Sequence, residues 1–199
     1  MTLRAIALDL SLDAPGYAWT TLIDPPVDAV TVPARSPDPQ QRADAVVKML
    51  RSLLTIQPNL VVIEDIFVGK NAKTTISLAE LHGVIKHELW SRRIPFVTVN
   101  QTYRAMYATG NGNAPKHQVM SAARYIYGEF IGGASRIQTT DDADALILLA
   151  MALDFYGQPL LEVDGTRRRA LLANIAWPAI NIDALPLYPA SAPVKGKRT

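Results

Sequence analysis

Four acidic residues stand where carboxylates are costly. Asp9 lies inside the apolar run LRAIALDL at residues 3–10, and Glu64 closes the run LVVIE after Leu60-Val61-Val62-Ile63. Asp141 and Asp144 open a stretch that stays apolar as far as Leu153. On a helix their spacing points both the same way, whereas Asp142, about 100° round from Asp141, faces elsewhere. Carboxylates near a core are disfavoured unless they are paired or bind metal. Two of them about 4 Å apart repel by about 4 kcal/mol at an effective dielectric near 20. No basic residue lies within four positions of any of them, Lys70 being six beyond Glu64. A divalent cation is the economical answer, and an all-oxygen ligand set points to a hard ion, Mg²⁺ or Mn²⁺. Each acid also has a plainer reading. Asp141 and Asp142 suit the first turn of a helix capped by Thr139 or Thr140. Asp9 suits a strand end at a turn, and Glu64 with Asp65 a solvated strand end. It is the occurrence of all three features in order that favours chemistry.

The elements that must position these acids follow from hydrophobic periodicity. Residues 3–10 read as a buried strand. Residues 16–23, after the turn cluster Asp13-Ala14-Pro15, read as its hairpin partner, and 28–32 as a third strand. Asp38 is an N-cap with Pro39 at the first helical position; Ala43, Val46, Val47, Leu50 and Leu54 then mark one helix face. A buried strand over 60–65 follows, then a helix over 74–90. That helix has two apolar faces: Leu78, Leu81, Ile85 and Leu89 on one, and Ile76, Ala79, Gly83 and Trp90 on the other. Such a helix is buried on two sides, either within the domain or against another subunit; it is the candidate subunit interface, where Gly83 allows close approach. A strand over 94–99 and a turn-rich, flexible loop over 101–113 come next. Pro115 opens a helix carrying Val119, Ala123, Ile126 and Phe130 before Gly132-Gly133 breaks it. Residues 139–156 form the last long helix, apolar nearly all round and therefore buried. Strands followed by alternating β and α elements give an α/β domain, one mixed sheet with helices on both faces and parallel pairing across the helical crossovers. Residues 1–157 are read as this domain. Residues 158–199 are read as an extension: a short helix over 166–175, then a Pro-rich basic tail.

Composition bounds the class. The chain has 199 residues, 49% hydrophobic and 19% charged, which fits one globular domain and excludes a disordered chain. With no cysteine, a disulfide scaffold, a thiolate zinc site and a cysteine nucleophile are all excluded. The longest apolar run, Ala145 to Leu153, is far short of the roughly 18 residues of a spanning helix. A soluble cytoplasmic protein without a membrane partner is expected. The formal charge of +2 is unevenly spread: residues 1–69 hold 5 basic and 8 acidic side chains, 70–136 hold 9 and 3, 137–161 hold 0 and 4, and 162–199 hold 6 and 3. Acidic segments around a basic middle suit a polyanion-binding protein whose site holds cations.

Several short motifs occur in order. They are Ala7-Leu8-Asp9 before a Gly16-Tyr17 strand, Val62-Ile63-Glu64-Asp65-Ile66-Phe67 with Lys70-Asn71-Ala72, the stretch from Asn111 to Val119, and Asp141-Asp142-Ala143-Asp144-Ala145-Leu146. Together they resemble the RuvC-type Holliday junction resolvases, phage-borne members in particular, over about residues 1–157. The resemblance implies an RNase H-like fold with a five-stranded mixed sheet. It also implies a homodimer that binds branched double-stranded DNA and nicks opposed strands of a four-way junction, leaving 5′ phosphate and 3′ hydroxyl ends. It makes Asp9, Glu64, Asp141 and Asp144 the catalytic, metal-binding carboxylates for two divalent ions per site, Mg²⁺ with Mn²⁺ as the alternative. Phe67 corresponds to an aromatic that meets bases, and Arg104 and Lys116 to DNA-contacting cations; Lys70 and Lys73 are further candidates for phosphate. Two features depart from the pattern: Asp9 is followed by Leu10-Ser11-Leu12 rather than a nearby glycine, and nothing past residue 158 has a counterpart. Three other readings stand beside this one: a related nuclease for forks, flaps or RNA–DNA hybrid, an actin-like ATPase prompted by Asp164-Gly165-Thr166, and a catalytically idle DNA-binding relative.

Overall fold

The computed structural model describes residues 2–69, 71–161 and 166–182. Its centre is a five-stranded sheet in the order β3-β2-β1-β4-β5. β1 (Ala5–Asp9), β2 (Gly16–Thr20) and β3 (Val27–Thr31) form an antiparallel meander, while β4 (Leu60–Glu64) and β5 (Phe96–Val99) pair in parallel with β1 and with each other. The mixed sheet expected from the order of elements is therefore present.

Alternation along the strands sorts the two faces. Ile6, Leu8, Val61 and Ile63 turn to one side, where they pack with α1 (Pro39–Leu53) and α2 (Ala72–Ser91). Ala5, Ala7, Ala18, Leu60 and Val62 turn to the other, against α3 (Gln101–Thr109), α4 (Lys116–Tyr127) and α5 (Thr140–Phe155). Because the sheet residues under α5 are mainly alanines, this helix lies close along β1 and β2. It is buried from Asp142 to Leu153, as its unbroken apolar composition requires. No helix among the described residues is long and apolar enough to cross a membrane.

Local chemistry accounts for the helix starts. Asp38 caps α1 through Gln40 N–H, with Pro39 in the first turn, and Asn71 caps α2 through Lys73 and Thr74 N–H. Thr139 and Asp142 form a reciprocal capping box on α5. The first-turn reading of Asp142 is thus correct. Its carboxylate accepts from the N–H groups of Gln138 and Thr139 at 3.0 and 2.9 Å and from the Thr31 hydroxyl at 2.6 Å.

One expectation is overturned. Residues 101–109 are not a flexible loop but the helix α3. Asn100 caps it through Thr102 N–H at 2.8 Å. Gly110 ends it at φ 78° and closes on the Met106 carbonyl, a left-handed conformation that favours glycine. α6 (Thr166–Leu172) lies against α3 and α5. The sequence expectations for Asp164-Gly165 and for the Pro-rich tail from residue 183 fall outside the described residues.

Candidate active site

The period of the strands aims two of the acids. Asp9 continues the parity of Ala5 and Ala7, and Glu64 that of Leu60 and Val62, so both carboxylates point to the α5 side. They end adjacent parallel strands in which Leu8 sits beside Ile63, and this register puts them next to each other. Asp144 reaches the same point from the first turns of α5. One oxygen from each of Asp9, Glu64 and Asp144 lies within 4.8 Å of the others, and all three residues are buried. Asp141 stands on the rim, its side chain 23% exposed, and joins the cluster through Lys116. Gly16 sets the closeness of this arrangement. It pairs with Asp9 across the β1–β2 ladder, and a Cβ there would stand only 2.1 Å from the Asp141 carbonyl oxygen.

Two cations enter the cluster from elements distant in sequence. Arg104 of α3 donates through Nε to Glu64 Oε2 at 2.6 Å and through Nη2 to Glu64 Oε1 at 3.3 Å, and its Nη1 pairs with Asp144 Oδ1. Lys116, the first residue of α4, places Nζ 3.0 Å from Asp141 Oδ1, 3.3 Å from Asp144 Oδ2 and 3.9 Å from Asp9 Oδ2. The isolation of the acids from basic neighbours holds along the chain but not in the fold. Arg104, expected among the DNA-contacting cations, is 3% exposed and engaged by Glu64 and Asp144. Two neighbours on its helix face, Tyr107 and Ala108, three and four residues on and both buried, are the sequence signal of that inward orientation.

The electrostatics remain unbalanced. Burial pushes the Asp9 carboxyl well above the usual carboxylate range, and the charges of Glu64 and Asp144 add to it against the pull of Lys116 and Arg104. Burial raises Glu64 as well, with Arg104 opposing and Asp144 adding. For Asp144 burial again dominates, opposed by Arg104 and Lys116. Burial disfavours the charged Arg104 guanidinium and Lys116 ammonium, but Glu64 and Asp144 outweigh it for Arg104, and Asp9 and Asp144 for Lys116, so both stay protonated. Four carboxylates facing two cations leave two negative charges uncompensated when all are ionised. Apart from the ion-pair contacts with Lys116, the buried Oδ2 atoms of Asp9 and Asp144 have no hydrogen-bond partner. A hard divalent cation fits this donor set: oxygen ligands only, two orphaned acceptors and a matching charge deficit.

The remaining candidates lie around this centre. Phe67 follows β4 and is 64% exposed, beside Val68 at 75%, so it is not a core side chain. Lys73 is exposed in the first turn of α2, and Lys70 lies outside the described residues. On α2, Leu81, Ile85 and Leu89 face the core. Ile76 and Trp90, with Gly83 and Ala79 between, face outward.

Carboxylates at the ends of the two central strands of a mixed β3-β2-β1-β4-β5 sheet, faced by an acid-bearing helix, define the RNase H-like class. The family model for crossover junction endodeoxyribonuclease RuvC matches residues 25–153, well over half of the chain, and the chain belongs to the RuvC family. That match contains Glu64, Arg104, Lys116, Asp141 and Asp144; Asp9 and Gly16 precede it. Among curated relatives, RuvC of Carboxydothermus hydrogenoformans is 33% identical over 101 residues, covering 51% of this chain and 61% of that protein. RuvC of Brachyspira hyodysenteriae is 36% identical over 92 residues, 46% of this chain and 54% of its own. The chain thus spans little more than half the length of these two relatives. Thermus thermophilus RuvC, solved in complex with a Holliday junction substrate, superposes with a TM-score of 0.62 at 17% identity, covering 78% of this chain and 95% of that one. The fowlpox virus Holliday junction resolvase superposes with a TM-score of 0.51 at 12% identity, covering 76% and 98%. Family membership sets aside the actin-like ATPase.

Proposed function

We propose that this protein is a metal-dependent endonuclease that resolves four-way DNA junctions by paired nicks leaving 5′ phosphate and 3′ hydroxyl ends. The observation that carries the reading is the convergence of Asp9, Glu64 and Asp144, from β1, β4 and α5, into one buried cluster with unfilled acceptor positions. Asp9, Glu64 and Asp144 would hold the metal, with Asp141 completing the set at the rim. When bound, divalent ions supply a nucleophilic water at neutral pH and charge neutralisation at the phosphate. Two ions per site, Mg²⁺ or Mn²⁺, are the expectation carried by the family resemblance; the deficit of two charges left by Arg104 and Lys116 matches the first of them.

The chain's own side chains do the rest. Lys116 is 56% exposed at the mouth of the cluster, so its ammonium can meet a phosphate while it still touches the acids. Arg104 fixes the orientation of Glu64 through two hydrogen bonds. Phe67 and Val68 present an exposed apolar tip beside the end of β4, suited to stacking on unpaired bases at a branch point. Lys73 brings positive charge beside this tip, and Lys70, three residues after Phe67 in sequence, is a further candidate for phosphate. The outward face of α2, with Ile76 and Trp90 exposed, serves as the homodimer contact, and a two-fold pair of sites then nicks symmetrically.

The test is cleavage of synthetic four-way junction, fork, flap and RNA–DNA hybrid substrates, with and without Mg²⁺. Paired, Mg²⁺-dependent nicks confined to the junction are expected, and Asp144→Asn should bind the junction without cutting it. Preferential cutting of forks, flaps or hybrid would refute junction resolution, and wild-type cutting by Asp144→Asn would remove that residue from the site.

A further inference from the structure

The family match ends at residue 153, yet the described residues beyond it are built into the domain. Leu172 and Ile175 are buried in the core cluster on the α5 side of the sheet. Trp177 stacks on Phe155 with ring centres 4.9 Å apart and planes 17° from parallel. Its indole N–H donates to the Leu172 carbonyl at 3.0 Å, and the Tyr156 hydroxyl donates to the Pro178 carbonyl at 2.6 Å. These contacts tie α6 and the residues after it to the end of α5.

From α6, Arg168 holds Tyr107 of α3 in two ways. Its guanidinium carbon lies 4.6 Å from the centre of the Tyr107 ring, a cation–π arrangement. Its Nε donates to the Tyr107 backbone carbonyl at 3.2 Å. That carbonyl is among the last four of α3, which have no partner within a helix, and a cation there also meets the negative pole of the helix dipole. On its other side Tyr107 donates its hydroxyl to Asp154 Oδ2 of α5 at 3.0 Å. Tyr107 follows Arg104 by three residues and so sits on the same helix face, one turn along. A helix of nine residues does not hold itself in place, so the position of Arg104 depends on what grips α3.

We propose that Arg168 is a positioning residue for the nuclease site: by clamping Tyr107, the C-terminal segment keeps α3 where Arg104 bridges Glu64 and Asp144. The inference rests on reading the acid cluster as the active site. Its readout is the Arg104 Nε–H, which donates to buried Glu64 and is therefore slow to exchange with water.

The experiment follows that proton by NMR in the full-length, metal-free protein, assigned by its loss in Arg104→Lys, alongside the amides of β1 and β4. In Arg168→Ala, exchange at Arg104 should accelerate about tenfold or more while the strand amides keep their protection. Arg168→Lys, which retains a charged donor for the Tyr107 carbonyl, should recover most of the difference. Unchanged exchange at Arg104, or an equal rise in β1 and β4, overturns the proposal, the second because it marks general stability instead of positioning. A parallel Mn²⁺ titration by electron paramagnetic resonance separates the two readings. Failure of the wild type to bind Mn²⁺ rejects the metal site, whereas the NMR result decides the role of Arg168 either way.

Discussion

Replacing Gly16 by alanine tests how the site is built. Gly16 has no unusual backbone angle to explain it; it is there for space. An alanine Cβ would lie 2.1 Å from the carbonyl oxygen and 2.6 Å from the carbonyl carbon of Asp141. Both are backbone atoms and cannot swing aside as a side chain would. Ordinary contact begins near 3.4 Å, so the first turn of α5 must retreat by roughly 1.3 Å. The rest of α5 is buried and resists following, which concentrates the shift at Asp141 and Asp144. Overpacking of this kind costs about 1–3 kcal/mol of stability, and a misplacement of about 1 Å in a catalytic group costs on the order of 100-fold in rate. The assay is single-turnover cleavage of a four-way junction with enzyme in excess, with a thermal melt and a metal-free binding titration on the same preparation. The expected result is a folded Gly16→Ala protein that binds junction nearly as well as wild type and cuts it on the order of 100-fold more slowly. Wild-type cleavage by a folded variant would refute the claim that Gly16 sets the reach of Asp141 and Asp144 to Asp9.

The other expectations concern charge and assembly. Asp9 and Asp144 oxygens within 4.8 Å of each other repel by about 3.5 kcal/mol at an effective dielectric near 20. Asp9→Asn should therefore raise the melting temperature of the metal-free protein at neutral pH and diminish the further rise on adding Mn²⁺; a lower melting temperature at pH 7 contradicts the strained-cluster account. Glu88 works in the opposite sense. Hydrogen bonds from Arg51 lower its carboxyl to about 2, with Arg92 adding to the effect, so its contribution is present above the ordinary value of 4.5 and is lost as pH falls from there toward about 2. With Arg51 half exposed, Glu88→Gln should cost about 1 kcal/mol at pH 7, shrinking toward zero in denaturation curves near pH 2. A penalty that does not shrink on acidification would show that packing rather than charge holds Glu88. Trp90→Glu on the outward face of α2 should turn a dimer into a monomer in sedimentation equilibrium, and an unchanged mass would move the subunit contact elsewhere.

Much of the site was readable along the chain because strands and helices announce themselves through local periodicity. An acid ending each of two short apolar strands, and an i, i+3 pair opening an all-apolar helix, already named Asp9, Glu64, Asp141 and Asp144. The parity of Asp9 with Ala5 and Ala7, and of Glu64 with Leu60 and Val62, is a sequence property too; which face that parity selects is not. α3 was misread because Thr109-Gly110-Asn111-Gly112-Asn113 has turn composition and its weight was carried back over the whole segment. The cap pair Asn100 and Gly110, nine helical residues apart, held the better signal.

What the chain alone determined is the set of elements and the acids they carry, since propensity, capping and alternation act over a few residues. Charge balance in the site was decided by tertiary packing. Arg104 bonds Glu64 and Asp144 across 40 residues each way, and Lys116 reaches Asp141 across 25. No local pattern encodes such distances. They follow from the parallel register of β1 and β4, the alanine-lined face that lets α5 approach, and the absence of a side chain at Gly16.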